Sequence, residues 1–427
     1  MNAADTAWVL VSAGLVMFMT PGLALFYSGM IREKNVLNTI ALTVACLGVV
    51  ALIWVVFGYS LAFGPDAADG LIGTLSQAGL GNLASQLTGP PGHRIPVFAL
   101  ASFQLMFAII TVALLAGAVA ERTRFWPWLV FVALWVTIVY LPLAHWVFDP
   151  DGWMVSRLHL LDFAGGTAVE VNSGAASLAL AVVVGRRHGW PREQHRPHNL
   201  PMVMLGAGIL WFGWFGFNAG SALAADGLAA TAFLNTTLAG GAGLLGWLVV
   251  EQRRDGKPTT LGAASGAVAG LVGITPACGF VEPLGGAAIG LAAGVIAAIA
   301  IRMKYRLGFD DSLDVVAVHG IGGLTGLLAT GLLATTAVNA AGANGLFYGG
   351  GLTQLGRQAL AALVTIAYSG LLTLAIAALV DKTLGLRATA EAEISGIDED
   401  EHAETAYDRG RFATGHSALV SQTHAPR

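Results

Sequence analysis

LDFAGGTAVEVNSG (161–174) and LDVVAVHGIGG (313–323) follow one pattern. Each stretch opens with a Leu-Asp pair, continues as an apolar run, and carries a titratable side chain further in: Glu170 in the first and His319 in the second. An ionisable group at membrane depth is energetically expensive and usually has a function. Two such stretches in distant parts of a chain are what an inverted repeat predicts when its halves meet near the middle of a membrane.

The composition of the whole chain is that of a membrane-embedded protein. Of its 427 residues, 55% are hydrophobic and 11% are charged, and the mean hydropathy is +0.69. Soluble domains carry about a quarter charged residues. A net charge of −4 gives no reason to expect a nucleic-acid partner. Cys46 and Cys278 both lie in apolar runs, so we expect two small core side chains and neither a disulfide nor a zinc site.

Eleven apolar runs are long enough to cross a bilayer, whose hydrocarbon core takes about 20 helical residues. They lie near 8–30, 36–63, 96–120, 125–147, 163–186, 200–223, 227–251, 258–277, 281–301, 314–336 and 358–386. The sequence therefore predicts an all-α polytopic membrane protein with eleven transmembrane helices, built as a five-plus-five inverted repeat and a last helix. We interpret the first run as a transmembrane helix and not as a cleaved signal, because no basic residue precedes it.

The basic residues predict the side on which each loop lies. Nineteen of the 22 Lys and Arg residues follow odd-numbered spans, and only Arg94, Arg157 and Arg357 fall on the other side. The positive-inside rule then places the N-terminus outside and the C-terminus in the cytoplasm. We divide the chain into a transmembrane domain, 1–387, and a polar, acidic tail, 388–427. By composition alone this tail is compatible with a disordered, solvated segment.

The polar residues inside the spans allow two interpretations each. Asp162 opens span five and Asp314 opens span ten, so each carboxylate is a candidate to cap a helix N-terminus. Glu170 and His319 are candidate pore groups, and the alternative is a pair of satisfied buried polar side chains.

Aromatic residues recur at helical spacing in two spans. Phe103 and Phe107 are four apart, and Trp214, Phe217 and Ser221 follow each other at three and four. A hydroxyl beside aromatic faces is a plausible receptor for a small cation, through cation–π attraction and one hydrogen bond. The alternative is ordinary core packing. We find no nucleophile–base pair, cofactor fingerprint or metal-ligand cluster in the sequence, so we expect no enzymatic activity, no cofactor and no metal.

Several segments, in order along the chain, resemble the ammonium transporter (Amt/Mep/Rh) family, in particular its bacterial Amt-like members. They are MTPGLALFYSGMIREKNVL (19–37), GAVAERTRF (117–125), LDFAGGTAVEVN (161–172), PHNLPMV (197–203), GWFGFNAGSA (213–222), GAVAGLVGITPACG (266–279) and DVVAVHGIGG (314–323). In the tail region, GLR (385–387) and GIDEDEHAETAY (396–407) are similar to the family's cytoplasmic segment. This similarity implies an ordered tail that docks on the basic loops at Arg186, Arg187, Arg253 and Arg254.

The resemblance implies a homotrimer in the bacterial inner (plasma) membrane, with one pore per subunit, that transports ammonium or ammonia. It implies that Ser221 and the aromatics around it recruit ammonium at the outer face. Phe107 and Phe217 would then close the pore as a stacked pair, supported by Phe103 and Trp214. Asp162 would act electrostatically without touching the ion, and His319 would be the second of two facing pore imidazoles. A PII-type signal protein is an implied partner at the cytoplasmic face.

Two positions depart from the family pattern. Glu170 stands where most bacterial members have the first pore histidine. An acidic residue at this position resembles the pattern of some fungal members. Phe148 falls where the family commonly has a recruitment-site tryptophan, and Trp153 is an alternative occupant of that place. We expect deprotonation of ammonium near the mouth, passage of ammonia through an apolar pore, and a proton relay along Glu170 and His319. The rival hypotheses are an ammonium sensor that transports little and a sodium-coupled carrier of amino acids.

Overall fold

Eleven apolar helices form the body of the molecule in the computed structural model, which describes residues 1–193 and 195–407. Ten helical stretches in these ranges have at least 18 residues and are apolar enough to cross a membrane, and Thr260–Ile274 is a shorter eleventh. Each coincides with one predicted span, so the predicted eleven-helix architecture is confirmed. The end of the predicted tail, 408–427 with Arg409, Arg411 and Arg427, lies outside the described residues.

We number the spanning helices α1 to α11 in chain order. They are α1 (Ala3–Met30), α2 (Val36–Ile53, continued by Trp54–Gly58 and Tyr59–Phe63), α3 (Val97–Ala118), α4 (Phe125–Trp135, continued by Val136–Tyr140 and Leu141–Phe148), α5 (Gly166–Val171 and Asn172–Val184), α6 (Leu200–Gly220), α7 (Gly227–Asp255), α8 (Thr260–Ile274), α9 (Pro283–Ala300), α10 (Val316–Ile321 and Gly322–Leu333) and α11 (Thr353–Leu384). Two short tail helices follow, α12 (Ala390–Ser395) and α13 (Ile397–His402). Between α2 and α3, β1 (Leu87–Thr88) pairs antiparallel with β2 (Ile95–Pro96).

Helix starts are satisfied by polar side chains, because hydrocarbon offers no partner for a free backbone N–H. Asn2 accepts from the N–H of Asp5 at the start of α1, and Asn199 accepts from Met202 at the start of α6. Asp226 caps α7 in the same way. The capping residues therefore fix where these three helices begin.

Helices α1–α5 and α6–α10 form the two halves of the inverted repeat, and their first helices pack along each other. Small residues permit this approach. A Cβ on Gly206 would overlap the backbone of Phe26, and one on Gly216 would overlap the backbone of Ser12. The close contact of α1 with α6 holds the two halves together.

Helices α5 and α10 cross each other, and each begins with a six-residue π-helical segment. At the crossing Gly174 faces the backbone of Gly320, and Gly323 faces the side chain of Glu170. Each glycine lies four residues after the titratable residue of its own helix, Glu170 or His319. The two contacts are therefore related by the pseudo-twofold symmetry of the repeat.

The repeat partner of Asp162 is Asp311, which corrects the pairing of Asp162 with Asp314. Asp162 accepts from the N–H of Thr167 at 2.6 Å, and Asp311 accepts from the N–H of Val316 at 2.8 Å, each five residues on. Asp314 is no cap: its backbone is left-handed, with φ of 61°, and its carboxylate lies 2.7 Å from Lys304 Nζ. The path of the loop determines which carboxylate reaches the N-terminus of the helix. The Leu-Asp pair that the two stretches share does not reveal this path.

The start of the chain and the described part of the tail lie on opposite faces. On the N-terminal face, the N–H of Asn2 donates to Arg94 O at 2.7 Å, which ties the start of α1 to the 64–95 loop. On the tail face, Asp398 of α13 accepts from the N–H groups of Leu37 and Asn38 at 3.0 and 2.8 Å. A tail side chain thus caps the start of α2. A disordered tail is the wrong interpretation for residues 388–407.

The tail docks on partly different residues from those expected. We expected the basic side chains of Arg186, Arg187, Arg253 and Arg254 to receive it. Instead, Glu401 accepts from Arg124 Nε at 3.2 Å, and Arg387, which directly precedes the tail, donates to the backbone oxygen of Arg186 at 2.7 Å. Arg187 and Arg254 are occupied elsewhere, Arg187 by Glu121 and Asp310 and Arg254 by Asp255.

Glu121 is the centre of a buried polar cluster beneath the tail. Its carboxylate lies 2.7 Å from Arg32 Nε, 2.6 Å from Arg187 Nη1 and 3.0 Å from the amide of Asn35. Burial alone would raise the pKa of Glu121, but the guanidinium groups of Arg187 and Arg32 outweigh it and lower the pKa to about 2. The charge is therefore retained throughout the physiological pH range.

Replacing Glu121 with Gln is expected to lower the stability of the folded protein by roughly 3 kcal/mol, because it leaves Arg187 buried beside a neutral amide. A carboxylate with a depressed pKa stabilises the fold above its unfolded pKa and stops doing so as pH falls through the folded value. The Glu121→Gln deficit is thus largest near pH 7 and shrinks between about pH 4.5 and 2. Thermal unfolding in detergent across pH measures it. The control is Asp69→Asn in the exposed pair with Arg157; an equal loss in both variants would contradict the prediction.

Candidate functional site

Phe107 of α3 and Phe217 of α6 form a stacked pair, with one ring from each half of the repeat. Their ring centroids lie 4.1 Å apart and their planes meet at 19°. Phe103, one turn earlier on α3, packs edge-on to Phe107 at 4.8 Å. The two stacked rings leave no gap between them, so they form a closed aromatic barrier.

Phe148, at the end of α4, adds a fourth ring on the side of this barrier that is nearer the N-terminal face. Its ring meets Phe107 edge-on, with centroids 5.9 Å apart and planes at 84°. Trp153, the alternative occupant of this place, packs instead on Trp146 at 5.8 Å. The structure therefore places Phe148, and not the indole of Trp153, beside the barrier.

Ser221 ends α6 and lines a cavity of about 330 Å³ on the N-terminal face, together with Phe103, Phe148 and Asp162. Its hydroxyl donates to Phe217 O at 2.8 Å. The hydroxyl proton is therefore in use, and the lone pairs of Oγ remain available to accept from a donor in the cavity. We call this space the mouth cavity.

Asp162 both caps a helix and lines the mouth cavity. It accepts from three successive N–H groups, those of Gly165, Gly166 and Thr167, at 2.8, 2.7 and 2.6 Å. Gly165 has φ of 107°, a left-handed conformation that turns the chain so that these N–H groups converge. The two interpretations of Asp162 are thus compatible: the cap fixes a negative charge beside the cavity.

Below the stacked pair lies a narrow cavity of about 10 Å³, which has room for about one water molecule. Its wall is almost entirely apolar and includes Met19, Leu23, Ile110, Leu114 and Val268. Trp214 lines this inner cavity, not the mouth cavity, and its indole N–H donates to Thr275 Oγ1 at 2.9 Å. Trp214 is therefore separated from Ser221 by the stacked pair, although their spacing suggested one shared site.

Glu170 and His319 meet in the wall of the same inner cavity. His319 Nδ1 lies 2.7 Å from Glu170 Oε2, and both side chains are buried. A bond this short between two titratable groups can carry a shared proton. Because Nδ1 is engaged by Glu170, Nε2 is the ring nitrogen that remains for another partner. The structure thus brings together the two residues that the sequence placed in separate repeats.

Gln104 was missed by the sequence analysis and lies at this site. It sits between Phe103 and Phe107 on α3 and contacts the mouth cavity. The signal was present, since an amide in an otherwise apolar membrane span is costly and therefore informative. Among the described residues there is no group of three or more His, Cys, Asp and Glu side chains that could hold a metal ion.

Known proteins with similar sequences and structures are ammonium transporters or relatives of them. The sequence model of the Ammonium Transporter Family matches residues 7–407. An ammonium transporter of Mycobacterium tuberculosis is 53% identical over 95% of this chain and 91% of its own length. The crystal structure of Saccharomyces cerevisiae Mep2 superposes with a TM-score of 0.85 at 36% identity, covering 92% of this chain and 88% of Mep2.

A structure described as a sensor Amt protein is also similar, with a TM-score of 0.85 at 29% identity, covering 93% of this chain and 98% of the sensor. The matches extend over nearly the whole chain. This chain belongs to the ammonium transporter family.

Proposed function

We propose that this protein recruits ammonium at the N-terminal face and passes ammonia, with relay of the proton, through the pore below Phe107 and Phe217. The observation that carries the proposal is the order of the parts along one path. A cavity with acceptor oxygens and aromatic faces lies on one side of a closed aromatic pair, and a proton-sharing Glu–His pair in an apolar wall lies on the other.

The mouth cavity supplies what an ammonium ion needs when it leaves water. The ion has four N–H donors and one positive charge. Ser221 Oγ offers lone pairs, the rings of Phe103 and Phe148 offer π faces, and the carboxylate of Asp162 lies in the same wall. Because Asp162 is occupied by three backbone N–H groups, it acts on the ion through its charge.

The stacked pair and the apolar wall below it select against the charged form. Passage requires one of the two rings to rotate, since their centroids are 4.1 Å apart. A bare ammonium ion in the narrow inner cavity would lose its hydration without compensation, whereas ammonia loses much less. Ammonium therefore releases a proton near the mouth, and the proton travels along Glu170 and His319 while ammonia crosses.

The orientation and the assembly belong to the same proposal. We place the N-terminal face outside and the tail face in the cytoplasm of a cell bounded by the plasma membrane, on the distribution of Lys and Arg. Resemblance to the family supports a homotrimer with one pore per subunit. Labelling of single cysteines from either side and mass measurement in detergent test these two statements.

An ammonium sensor is the second candidate, favoured by the likeness to the sensor Amt protein and by the docked tail. In a sensor, ammonium would bind in the mouth cavity and alter the tail with little flux. Ammonium-elicited current and uptake of labelled methylammonium in proteoliposomes discriminate the two. A silent transport assay with retained ammonium binding would favour the sensor.

Ser221→Ala is expected to weaken ammonium recognition by roughly 0.5–3 kcal/mol, a range that spans hydrogen bonds between neutral groups and those to charged groups. The measurement is the ammonium concentration that gives half-maximal current. Ser102→Ala is the matched control, because its hydroxyl also donates to the carbonyl one turn back, that of Phe98, but does so away from the cavities. An unchanged half-saturating concentration in Ser221→Ala would refute the recruitment role.

Glu170 is expected to displace the pH profile of conduction relative to a twin-histidine pore. One shared proton leaves a Glu–His pair neutral overall, whereas it makes a His–His pair cationic and more repulsive to cations. Glu170→His should therefore give the profile of a twin-histidine relative, and Glu170→Gln should remove the titration and slow proton-coupled flux. Current against pH at fixed total ammonium measures this, with Glu282→Gln on the surface as the control. Superimposable curves would show that Glu170 is structural.

A PII-type signal protein is the proposed partner at the tail face. The tail caps α2 through Asp398 and contacts Arg124 through Glu401, so its removal exposes both sites. Deletion of 388–427 is expected to change transport and to weaken co-purification with the host PII protein. If both remain as in the full chain, the partner assignment fails.

A further inference from the structure

A second, larger cavity lies on the N-terminal face beside the mouth cavity. It has a volume of about 630 Å³, and we call it the antechamber. Acidic, aromatic and amide side chains line it, among them Tyr59, Asp149, Asp226, Phe148 and Gln104. Phe148 and Gln104 also line the mouth cavity, so the two spaces adjoin at these residues.

Asp149 brings a negative charge into the antechamber wall. It is 8% exposed, and one of its oxygens accepts from the N–H of Asp151 at 2.9 Å. No ion pair to Asp149 occurs within the described ranges, and the other titratable groups of the wall, which are Tyr59, His93 and Asp226, do not neutralise it. His93 is paired with Asp5, and Asp226 caps α7. A charge buried in this way is screened less by salt than an exposed one.

Gln104 provides the second observation, which is independent of the charge. It is 7% exposed, and its Oε1 has no hydrogen-bond partner. Across the described part of the chain its amide makes no hydrogen bond at either end, so a half-turn of the amide presents either oxygen or nitrogen to the cavities without breaking a bond. A buried amide left unpaired costs free energy unless a ligand or water satisfies it.

We propose that the antechamber is a cation-binding site for ammonium or a primary alkylammonium ion, with Asp149 as the counter-charge and Gln104 as the hydrogen-bond acceptor. The inference rests on the proposed recruitment at Ser221, ahead of which the antechamber lies. A cation held by Asp149 reaches the mouth cavity past Gln104, whose oxygen accepts one N–H on the way. The N–H donors distinguish such ions from potassium, which has charge but no donor.

The test uses the full-length protein in proteoliposomes and in detergent, with ammonium chloride, methylammonium chloride and potassium chloride at constant ionic strength. Asp149→Asn keeps an acceptor for the N–H of Asp151 and removes only the charge. Asp151→Asn is the matched control, because Asp151 is its exposed neighbour and lies outside the lining of both cavities. Gln104→Leu removes the acceptor at nearly constant volume. The readouts are the half-saturating concentration for current and the rise in melting temperature with added cation, which needs no transport.

We expect Asp149→Asn and Gln104→Leu each to raise the half-saturating concentration for ammonium about tenfold, and to reduce the stabilisation by ammonium and methylammonium. Asp151→Asn should resemble wild type at high salt. Potassium chloride should raise the melting temperature of wild type and of the variants equally. A loss at Asp149 that persists in high salt supports the site, and one that disappears there, as for Asp151, overturns it in favour of a general surface field.

The failure of this inference differs from that of the proposed function. If Ser221→Ala weakens ammonium recognition while Asp149→Asn and Gln104→Leu match wild type in both readouts, the antechamber site is wrong and recruitment stands. If wild type gives no current and no uptake, transport is wrong. Stabilisation by ammonium that is lost in Asp149→Asn and Gln104→Leu would still support the site in that case.

Discussion

The hydrogen bond between His319 and Glu170 is the contact on which the crossing of α5 and α10 depends. A carboxyl group and an imidazole in an apolar interior are each costly alone, and each satisfies the other at 2.7 Å. Gly174 and Gly323 allow the backbones of α5 and α10 to come close enough for this bond. The place where the inverted repeat crosses itself is therefore also the place where a proton can be held. Glu170 and His319 therefore lie at the symmetry-related crossing and also form the proton-sharing pair.

The two faces of the molecule treat their polar groups differently. On the tail face, buried charges are neutralised within the protein: Glu121 and Asp310 hold Arg187, and the guanidinium of Arg122 donates to backbone oxygens and to Ser312 Oγ. Such a network fixes the loops and gives the tail a rigid surface on which to dock. On the N-terminal face, Ser221 and Gln104 line a cavity and keep acceptor capacity that the protein does not use. Polar groups whose hydrogen bonds are made within the protein stabilise the fold, and polar groups with unused hydrogen-bond capacity can bind a ligand.

The two halves of the repeat have similar backbones but carry different charges at equivalent positions. Asp162 and Asp311 make equivalent caps, but the position three residues on is Gly165 in one half and Asp314 in the other. Asp314 is neutralised by Lys304, an alkylammonium group of the chain itself. Within the described residues, the charge of Asp162 beside the mouth cavity has no such cationic partner, and its carboxylate is bound by backbone N–H groups. The backbone is thus repeated while the electrostatics of the two mouths differ.

The sequence by itself determined the eleven helices, the existence of the repeat, and the identity of the aromatic and titratable residues near the path. These are recorded locally, in hydropathy over about 20 residues and in helical spacing. The tertiary structure alone decided which residues meet. In the fold, Asp311 and not Asp314 is the counterpart of Asp162. Phe148 and not Trp153 packs against Phe107. Trp214 lines the cavity below the stacked pair and not the mouth cavity. The tail docks on Arg124 and on the start of α2, although the sequence offered the basic side chains of other loops as docking sites as well. The physical reason is that a hydrogen bond or ring contact depends on angstrom-scale distances between segments, which loop paths and helix crossings set, and which spacing along the chain does not encode.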